Sequence, residues 1–347
     1  MRESGKGNSI GSVEAVPRQD VREAGSDARS VVDAVVDRLC CPSDGGALQF
    51  RPDTAASLAD ADALVCADCQ TSYPIVDSIP RFVESDQYAT NFSLEWTLHR
   101  KTQLDDERSR VSEETFAEKT GLTPESVAGK VILDVGCGMG RFADVAVRWG
   151  GTVIGVDLSL AVNSAQNNLA DTGRFQAVQA SVFDLPFKPG AFDIIYSLGV
   201  LHHTPDCARA FACLPPLLGP EGILAVWLYS KHVYPPQSME ERRDALYRKV
   251  TTRMSPRLLH TIFRALCAIR IPGRPFWHLL LPGFIFHAVP RLQSYARYDW
   301  RVLDAFDWYS PMYQSKHSYP EVCRWFREAG FRDIQPLDAD VAVWGRK

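Results

Sequence analysis

The sequence lacks any long uninterrupted hydrophobic run. No stretch of its 347 residues approaches the roughly 20 apolar residues that a membrane-spanning helix needs. The opening segment MRESGKGNSIGSVEAVPRQ also lacks the apolar core of a secretory signal peptide. We therefore expect a cytoplasmic protein.

No residue class and no charge sign dominates the chain. Its formal net charge is -4, with 46% hydrophobic and 23% charged residues, which is typical of a globular protein with a sizeable core. Because domains usually run to about 100–200 residues, one large α/β domain plus a small module fits this length better than a single domain. Residues 1–29, rich in Gly, Ser and charge, are predicted to be a disordered tail.

Cysteine is scarce and odd in number, with nine residues of which four cluster near the N-terminus. An odd, dispersed set without a signal sequence argues against disulfides and for reduced thiols with one metal site. Cys41-Pro-Ser-Asp44 and Cys66-Ala-Asp-Cys69 have the spacing of a zinc ribbon, whose two turns supply four ligands. We predict a structural zinc site at Cys41, Asp44, Cys66 and Cys69, with Cys40 as a substitute ligand. A metal-free ribbon is the alternative.

Strand-like and helix-like segments alternate after Gly129, which predicts a parallel sheet with helices on both faces. The pattern breaks at Ser230 and resumes with a helix at Tyr319 and two final strands. We expect a β-rich module at 30–84, a helical arm at 85–128, and an α/β domain at 129–347. A helical insertion at 231–305 is expected within that domain, after its fifth strand.

A glycine-rich loop, DVGCGMG at 134–140, ends the first strand of this pattern and opens the first helix. Glycines there let the backbone approach a ligand closely. Arg141 follows Gly140, so the loop lacks the G-x-G-x-x-G spacing of a dinucleotide site, which argues against NAD. Asp157 ends the second strand, where a carboxylate can bind a ribose diol.

Several ordered segments resemble the class I S-adenosylmethionine (SAM)-dependent methyltransferases, and within them the methyltransferase type 11 branch. The segments are VILDVGCGMGRFA, VIGVDLS, the LPF of FDLPF, FDIIYSLGVLHH and EGILAVWLY. The resemblance covers about residues 86–347, and it implies a seven-stranded, Rossmann-like α/β fold with SAM as cofactor. The residues that it implies for the cofactor are Asp134, Gly136, Cys137, Gly138, Gly140, Asp157, Leu158, Ser181, Val182 and Ser197.

The same resemblance suggests how the cofactor would be held. The glycine loop would surround the methionine moiety, Asp157 would hold the ribose hydroxyls, and Ser181 and Val182 would flank the adenine. Ser181 stands where the family commonly has an aspartate that accepts from the adenine amino group.

His202 and His203 lie just past the fourth strand, where a side chain could deprotonate the acceptor. We predict them as catalytic residues, with a structural or helix-capping role as the alternative. Two aromatic segments, NFSLEW and DWYSPMYQSKH, have relatives in the same branch that close over cofactor and substrate. From them we predict a substrate site, with packing of a lid onto the sheet as the alternative. The predicted substrate residues are Trp96, Tyr309, Tyr313 and His317.

The N-terminal cysteine region also resembles a known module. LCCPSDGGAL followed by LVCADCQTSYPIVDSIPRFV is similar to the small zinc-ribbon protein that activates several tRNA, rRNA and release-factor methyltransferases. Such ribbons also occur fused to type 11 methyltransferases.

Charge is distributed unevenly along the chain. Residues 231–301 hold 13 Lys or Arg and 4 Asp or Glu, around the apolar and aromatic cluster 276–286. This insertion could contact a membrane surface or cover an acidic, apolar substrate, or it could simply pack as a helical cap. Residues 31–90 contain 10 acids and 3 bases, which would repel nucleic acid.

The sequence therefore predicts a SAM-dependent methyltransferase for a small or lipid-like metabolite, such as a natural-product or cell-envelope intermediate. The alternatives are an RNA or protein methyltransferase and a non-catalytic scaffold that keeps the SAM fold.

Overall fold

The structure is a computed structural model that describes residues 35–52, 62–83, 89–106, 109–232, 238–268 and 297–347. Its strands are β1 (Leu48–Arg51), β2 (Ala63–Cys66), β3 (Ser72–Val76), β4 (Ile79–Pro80), β5 (Val131–Val135), β6 (Thr152–Asp157), β7 (Phe175–Gln179), β8 (Phe192–Leu198), β9 (Leu218–Trp227), β10 (Arg332–Pro336) and β11 (Ala342–Arg346). Its α-helices are α1 (Thr90–Leu98), α2 (Val111–Thr120), α3 (Pro124–Val127), α4 (Arg141–Arg148), α5 (Ala161–Leu169), α6 (Cys207–Ala212), α7 (Met239–Thr251), α8 (Pro256–Ala268), α9 (Tyr298–Tyr309) and α10 (Tyr319–Glu328).

The larger sheet has seven strands in the order β10-β11-β9-β8-β5-β6-β7. Strands β5 to β9 pair in parallel, whereas β11 runs antiparallel to β9 and β10 antiparallel to β11. The strand order changes direction at β5, which has β6 on one side and β8 on the other. Ligands of open α/β sheets bind at such a switch point, beyond the carboxyl ends of the strands. The predicted seven-stranded, Rossmann-like sheet is confirmed.

The strands next to this switch point are almost entirely buried. The VILDV sequence of β5 and the FDIIYSL sequence of β8 are near-continuous apolar runs, as expected for strands covered on both faces. Asp134 is the exception to the apolar run of β5. Its side chain is acidic, yet the residue is only 3% exposed.

The N-terminal part of the chain forms a separate four-stranded antiparallel sheet in the order β1-β2-β3-β4. We call the described residues 35–52 and 62–83 the ribbon-like module. The module is joined to the larger sheet at two places. The Cys40 N–H donates to the Pro186 carbonyl at 3.0 Å, and the Phe82 N–H donates to the Gln179 carbonyl at 2.8 Å.

Helices α7, α8 and α9 come from the segment between β9 and α10 and share a small apolar core. Leu259 and Phe263 of α8 pack with Phe306 and Tyr309 of α9. Helix α1 contacts both α5 and α9, so it bridges the sheet and this helical group. We call α1 and α9 the roof helices, because they cover the carboxyl ends of the strands.

One predicted element differs in extent. The strand–helix alternation of the sequence predicts a helix around 208–218, whereas α6 ends at Ala212 and β9 begins at Leu218. Pro215 and Pro216 explain the difference, because proline cannot donate the backbone hydrogen bonds that would continue the helix.

Two sequence predictions fall outside the described residues: the disordered tail at 1–29 and the apolar cluster at 276–286. Within the described ranges, every helix is too short or too polar to cross a membrane.

Candidate cofactor and active site

The glycine-rich loop after β5 lies close to the chain that follows β8. Gly136, Gly138 and Gly140 all have positive φ angles, of 80°, 53° and 89°. A Cβ atom on Gly136 would lie 2.3 Å from the methyl carbons of Val200. Other residues rarely adopt this φ and would also collide, so position 136 requires glycine. The loop leads into α4, whose first backbone N–H groups have no partner within the helix.

Asp157, the last residue of β6, is oriented by three hydrogen bonds. Its Oδ2 accepts from the Gly138 N–H at 2.9 Å, and its Oδ1 accepts from the N–H and hydroxyl of Ser159 at 2.8 and 2.7 Å. Burial raises the pKa of Asp157, and the bonds from Ser159 and Gly138 oppose that shift. Each carboxylate oxygen can accept about two bonds, so Oδ2 keeps a lone pair for a ligand.

An open pocket of about 770 Å³, a volume that includes space open to solvent, lies beyond the carboxyl ends of β5, β6, β7 and β8. Asp157 and Leu158 line it after β6, Val182 after β7, and Gly199 and Val200 after β8. The pocket therefore sits at the switch point of the sheet.

The roof helices close the other side of this pocket. Phe92 and Trp96 of α1 and Asp307 of α9 line it. The Trp96 indole lies against the glycine loop, since a Cβ on Gly138 would be 3.3 Å from it. Asp307 accepts a hydrogen bond from the Tyr229 hydroxyl at 2.8 Å, which ties α9 to the end of β9.

His203 lines the same pocket and is a neutral base. Its Nδ1 lies 3.0 Å from the carbonyl oxygen of Tyr313, which can only accept, so Nδ1 carries the proton. Its Nε2 is then the unprotonated nitrogen, and it is buried without a hydrogen-bond partner in the described part of the chain. Burial lowers the pKa of His203, which keeps the ring neutral near pH 7.

His202 has different surroundings. Its ring is fully buried and stacks on Tyr229, with the ring centroids 3.9 Å apart. Its Nδ1 accepts from the Tyr229 N–H at 3.3 Å, and the residue does not line the pocket. Burial holds the pKa of His202 well below its usual value. These contacts support the structural alternative for His202.

A second cluster lies in the ribbon-like module, where one ligand atom each of Cys41, Asp44, Cys66 and Cys69 fall within 4.8 Å of one another. The Cys41 and Cys69 sulfurs are 3.7 Å apart, and the Cys66 sulfur is 3.4 and 3.6 Å from the two Asp44 oxygens. Tetrahedral zinc with Zn–S bonds of about 2.3 Å separates two sulfurs by about 3.8 Å and a sulfur and an oxygen by about 3.6 Å. The Cys41–Cys69 and Cys66–Asp44 separations therefore match those expected between ligands of a tetrahedral zinc ion.

Two neighbours define the limits of this cluster. A Cβ on Gly46 would lie 2.7 Å from the Cys66 sulfur and 3.0 Å from an Asp44 oxygen, so the cluster depends on glycine there. Cys40 is not part of the group, because its backbone pairs with Pro186 instead. The structure thus brings together the four predicted ligands and leaves out the substitute.

The comparison with known proteins concerns the residues that form the larger sheet. Residues 133–226, which contain the glycine loop, Asp157 and both histidines, match the family model described as "Methyltransferase domain". Residues 133–226 thus carry a methyltransferase domain.

Named relatives match this methyltransferase domain over part of their length. The ubiquinone biosynthesis O-methyltransferase of Psychrobacter arcticus is 34% identical over 28% of this chain and 40% of that protein. The protein of the same name from Albidiferax ferrireducens is 40% identical over 28% of this chain and 40% of that protein. The chain thus spans about two fifths of the length of these curated relatives.

A solved SAM-dependent methyltransferase from Mesorhizobium loti is 20% identical, covers 69% of this chain and 99% of its own, and superposes with a TM-score of 0.40.

The methyltransferase domain brings part of the predicted cofactor set into one pocket. Gly136, Asp157, Leu158 and Val182 line it. The others are not among the lining residues: Asp134, Cys137, Gly138, Gly140, Ser181 and Ser197. The two serine side chains are bonded locally, since the Ser197 hydroxyl donates to the Val135 carbonyl and the Ser181 hydroxyl accepts from the Phe183 N–H.

Asp134 has an environment that the sequence did not suggest. Burial raises its pKa to about 8, and its Oδ2 has no hydrogen-bond partner among the described residues. It is not among the residues that line the pocket.

The predicted substrate residues are dispersed. Trp96 lines the pocket, and Tyr313 reaches it through its carbonyl bond to His203. Tyr309 is fully buried in the α8–α9 core, where its hydroxyl donates to Asp244 at 2.9 Å. His317 pairs with Ser315 and Glu321. The structure therefore places Tyr309 and His317 away from the pocket.

Sequence reasoning missed several pocket residues of the methyltransferase domain and its roof, among them Phe92, Val200 and Asp307. Phe92 and Asp307 belong to the two aromatic segments that had been singled out, and Val200 belongs to the quoted LGVLHH motif. The segments were therefore detectable, whereas the residues within them that face the pocket were not.

Proposed function

We propose that the chain transfers the methyl group of SAM to a small acceptor that binds between the strand ends and the roof helices. The observation that carries the proposal is the shared pocket. Asp157, Gly136 of the glycine loop and His203 all line one cavity at the switch point of the sheet, and the buried Nε2 of His203 has no hydrogen-bond partner among the described residues. A cofactor cradle and a neutral base side by side are what methyl transfer to a protonated nucleophile needs.

SAM matches the hydrogen-bonding groups and apolar residues that border the pocket. When bound, it supplies an activated methyl group on a sulfonium, and transfer requires alignment, exclusion of water and in some cases a base. Asp157 Oδ2 would accept from a ribose hydroxyl, and Leu158 and Val182 would contact the adenine. The glycine loop would receive the methionine end, since Gly136 lines the pocket.

The proposed acceptor is a small or lipid-like metabolite. The pocket walls are mostly apolar, with Phe92, Trp96 and Leu198 among them. Curated relatives of the methyltransferase domain are named as O-methyltransferases of ubiquinone biosynthesis, which supports a small hydroxylated acceptor. His203 Nε2 would take the hydroxyl proton as the carbon–oxygen bond forms and the sulfur–methyl bond of SAM breaks.

Methyl transfer can be tested directly. The purified protein would be incubated with methyl-labelled SAM and a panel of phenols, catechols, amines and long-chain hydroxylated compounds, with tRNA, rRNA and denatured protein as further acceptors. We expect label in a small-molecule product and formation of S-adenosylhomocysteine. Label found only in RNA or protein would refute the small-acceptor proposal.

We further propose that the ribbon-like module binds one structural zinc ion through Cys41, Asp44, Cys66 and Cys69. We expect one zinc per purified chain by elemental analysis, and at least tenfold weaker zinc binding in Gly46→Ala, because the added methyl group would occupy the space beside two ligand atoms.

The neighbouring glycine provides a matched control for this prediction. Gly45 has a φ of 77° and no atom within 4 Å of an added Cβ, so Gly45→Ala adds backbone strain without touching the ligands. It should keep its zinc, as should Cys40→Ser. Wild-type protein purified without zinc, or equal losses in Gly45→Ala and Gly46→Ala, would rule out the assigned ligand set.

A further inference from the structure

Arg81 connects the ribbon-like module with the methyltransferase domain. It follows β4, is only 7% exposed, and donates to three neutral oxygens. One is the Val76 carbonyl of its own module at 3.3 Å. The others are Gln179 Oε1 at the end of β7 and Asn163 Oδ1 on α5, each at 2.9 Å. One buried side chain thus bonds the module to two elements beside the cofactor pocket.

Gln179 continues this connection toward the pocket. Its Nε2 donates to the Leu158 carbonyl at 2.9 Å. Gln179 is also the register partner of Asp157 in the β6–β7 pair, and the next residue, Ala180, donates its N–H to the Asp157 carbonyl at 3.1 Å. Residues at the end of β7 therefore fix the backbone around Asp157, whose carboxylate is proposed to bind the ribose.

The chemistry of the two side chains fixes the direction of these bonds. A guanidinium group can only donate, so Arg81 requires the amide oxygen of Gln179 to face it. The amide nitrogen then faces the Leu158 carbonyl, which can only accept. Without Arg81, the Gln179 amide could rotate and place its oxygen against the Leu158 carbonyl, which would push the 157–158 backbone away from its present position.

We propose that Arg81 is a positioning residue of the cofactor site and orients the Asp157–Leu158 backbone through Gln179. This inference rests on the proposed function, because the ligand concerned is SAM. It gives the ribbon-like module a role in cofactor affinity that is separate from its metal.

The test is calorimetric titration of four full-length proteins with SAM, with the midpoint of thermal unfolding recorded for each. In Arg81→Ala the dissociation constant should rise about tenfold. Gln179→Glu tests the bond to Leu158 separately from the bond to Arg81. It keeps an oxygen for Arg81, and so keeps the module attached, but it replaces the donor to Leu158 with an acceptor. We expect a rise of at least tenfold there as well, with little change in unfolding midpoint.

Arg38→Ala is the matched control. Arg38 also joins the module to the domain, donating to the Ala191 carbonyl at 2.7 Å, but it has no bond to Gln179 or to the 157–158 backbone. Its SAM affinity should stay within twofold of wild type. If wild type binds SAM while Gln179→Glu and Arg81→Ala bind it equally well, the positioning role is overturned, even if Arg81→Ala is less stable. If wild type itself does not bind SAM, both the proposed function and this inference are refuted.

Discussion

Replacing Asp157 with alanine is expected to weaken SAM binding at least tenfold while the protein stays folded. The lone pair left on Asp157 Oδ2 can accept one hydrogen bond from a ribose hydroxyl, and a hydrogen bond to a charged group contributes about 1.5–3 kcal/mol, which corresponds to roughly ten- to a hundredfold. The substitution also removes the acceptor for the Gly138 N–H, so the glycine loop loses its bond to β6. Calorimetric titration with SAM, together with a circular dichroism spectrum, measures both outcomes.

Two controls separate the carboxylate from its surroundings. Asp157→Asn keeps one acceptor oxygen and the shape of the side chain, so its SAM affinity should lie between wild type and Asp157→Ala. Ser159→Ala removes a hydroxyl that donates to Asp157 Oδ1 at 2.7 Å without removing the carboxylate, and its effect should be small. Unchanged affinity in Asp157→Ala would refute the assignment of the ribose site.

Replacing His203 with alanine is expected to lower kcat about 10²–10⁴-fold, the range that a positioned general base contributes. SAM affinity should change little, because the proposed cofactor contacts are made by other residues. The matched control is His202→Phe, which keeps an aromatic ring against Tyr229 outside the pocket. Turnover rates with an acceptor found in the labelled-SAM screen provide the comparison. Equal losses of kcat in the two variants would show that His203 has no special role.

The pH dependence of the rate follows from the same residue. Burial lowers the pKa of His203 below its usual value, and only the neutral ring can accept a proton. Lowering the pH through that pKa protonates Nε2, so the rate should fall on the acid side and stay level through neutral pH. His203→Ala should lose this acid limb. A wild-type rate that rises steadily from pH 6.5 to 9 would point to another titrating group.

The cofactor side of the site could be predicted from the sequence because its signals are local. The glycine loop and Asp157 each lie at a strand end, and the alternation of strands and helices fixes which ends meet at one edge of the sheet. Loop spacing likewise predicted the cysteine cluster, since two turns in one small sheet determine where four ligand atoms lie. These features need no knowledge of distant packing.

The acceptor side could not be predicted in the same way. Asp307 reaches the pocket only because α9 folds back over the strand ends. From the sequence alone, a charged residue on a helix is expected to be exposed to solvent. Tyr309, two positions later on α9, points instead into the core shared with α8. Which residues of an aromatic segment face a ligand depends on the rotation of the helix, and that is set by tertiary contacts.

Glu95 illustrates the same limit. It is fully buried on α1, and neither carboxyl oxygen has a hydrogen-bond partner among the described residues. Burial raises its pKa well above the usual value, and Asp307 and Asp304 add to the shift. Nothing in the NFSLEW segment distinguishes this glutamate from an exposed one. The Arg81–Gln179 contact was equally hidden, because it joins residues far apart in the sequence.

The measurement that tests the central claim most directly is calorimetric titration of the wild-type protein with SAM, alongside a parallel titration with NADH. The account predicts one SAM bound per chain with a dissociation constant on the order of micromolar, and no NADH binding, because the glycine loop lacks the dinucleotide spacing. Failure to bind SAM, or binding of NADH in its place, would contradict the claim that this pocket is a methyltransferase cofactor site.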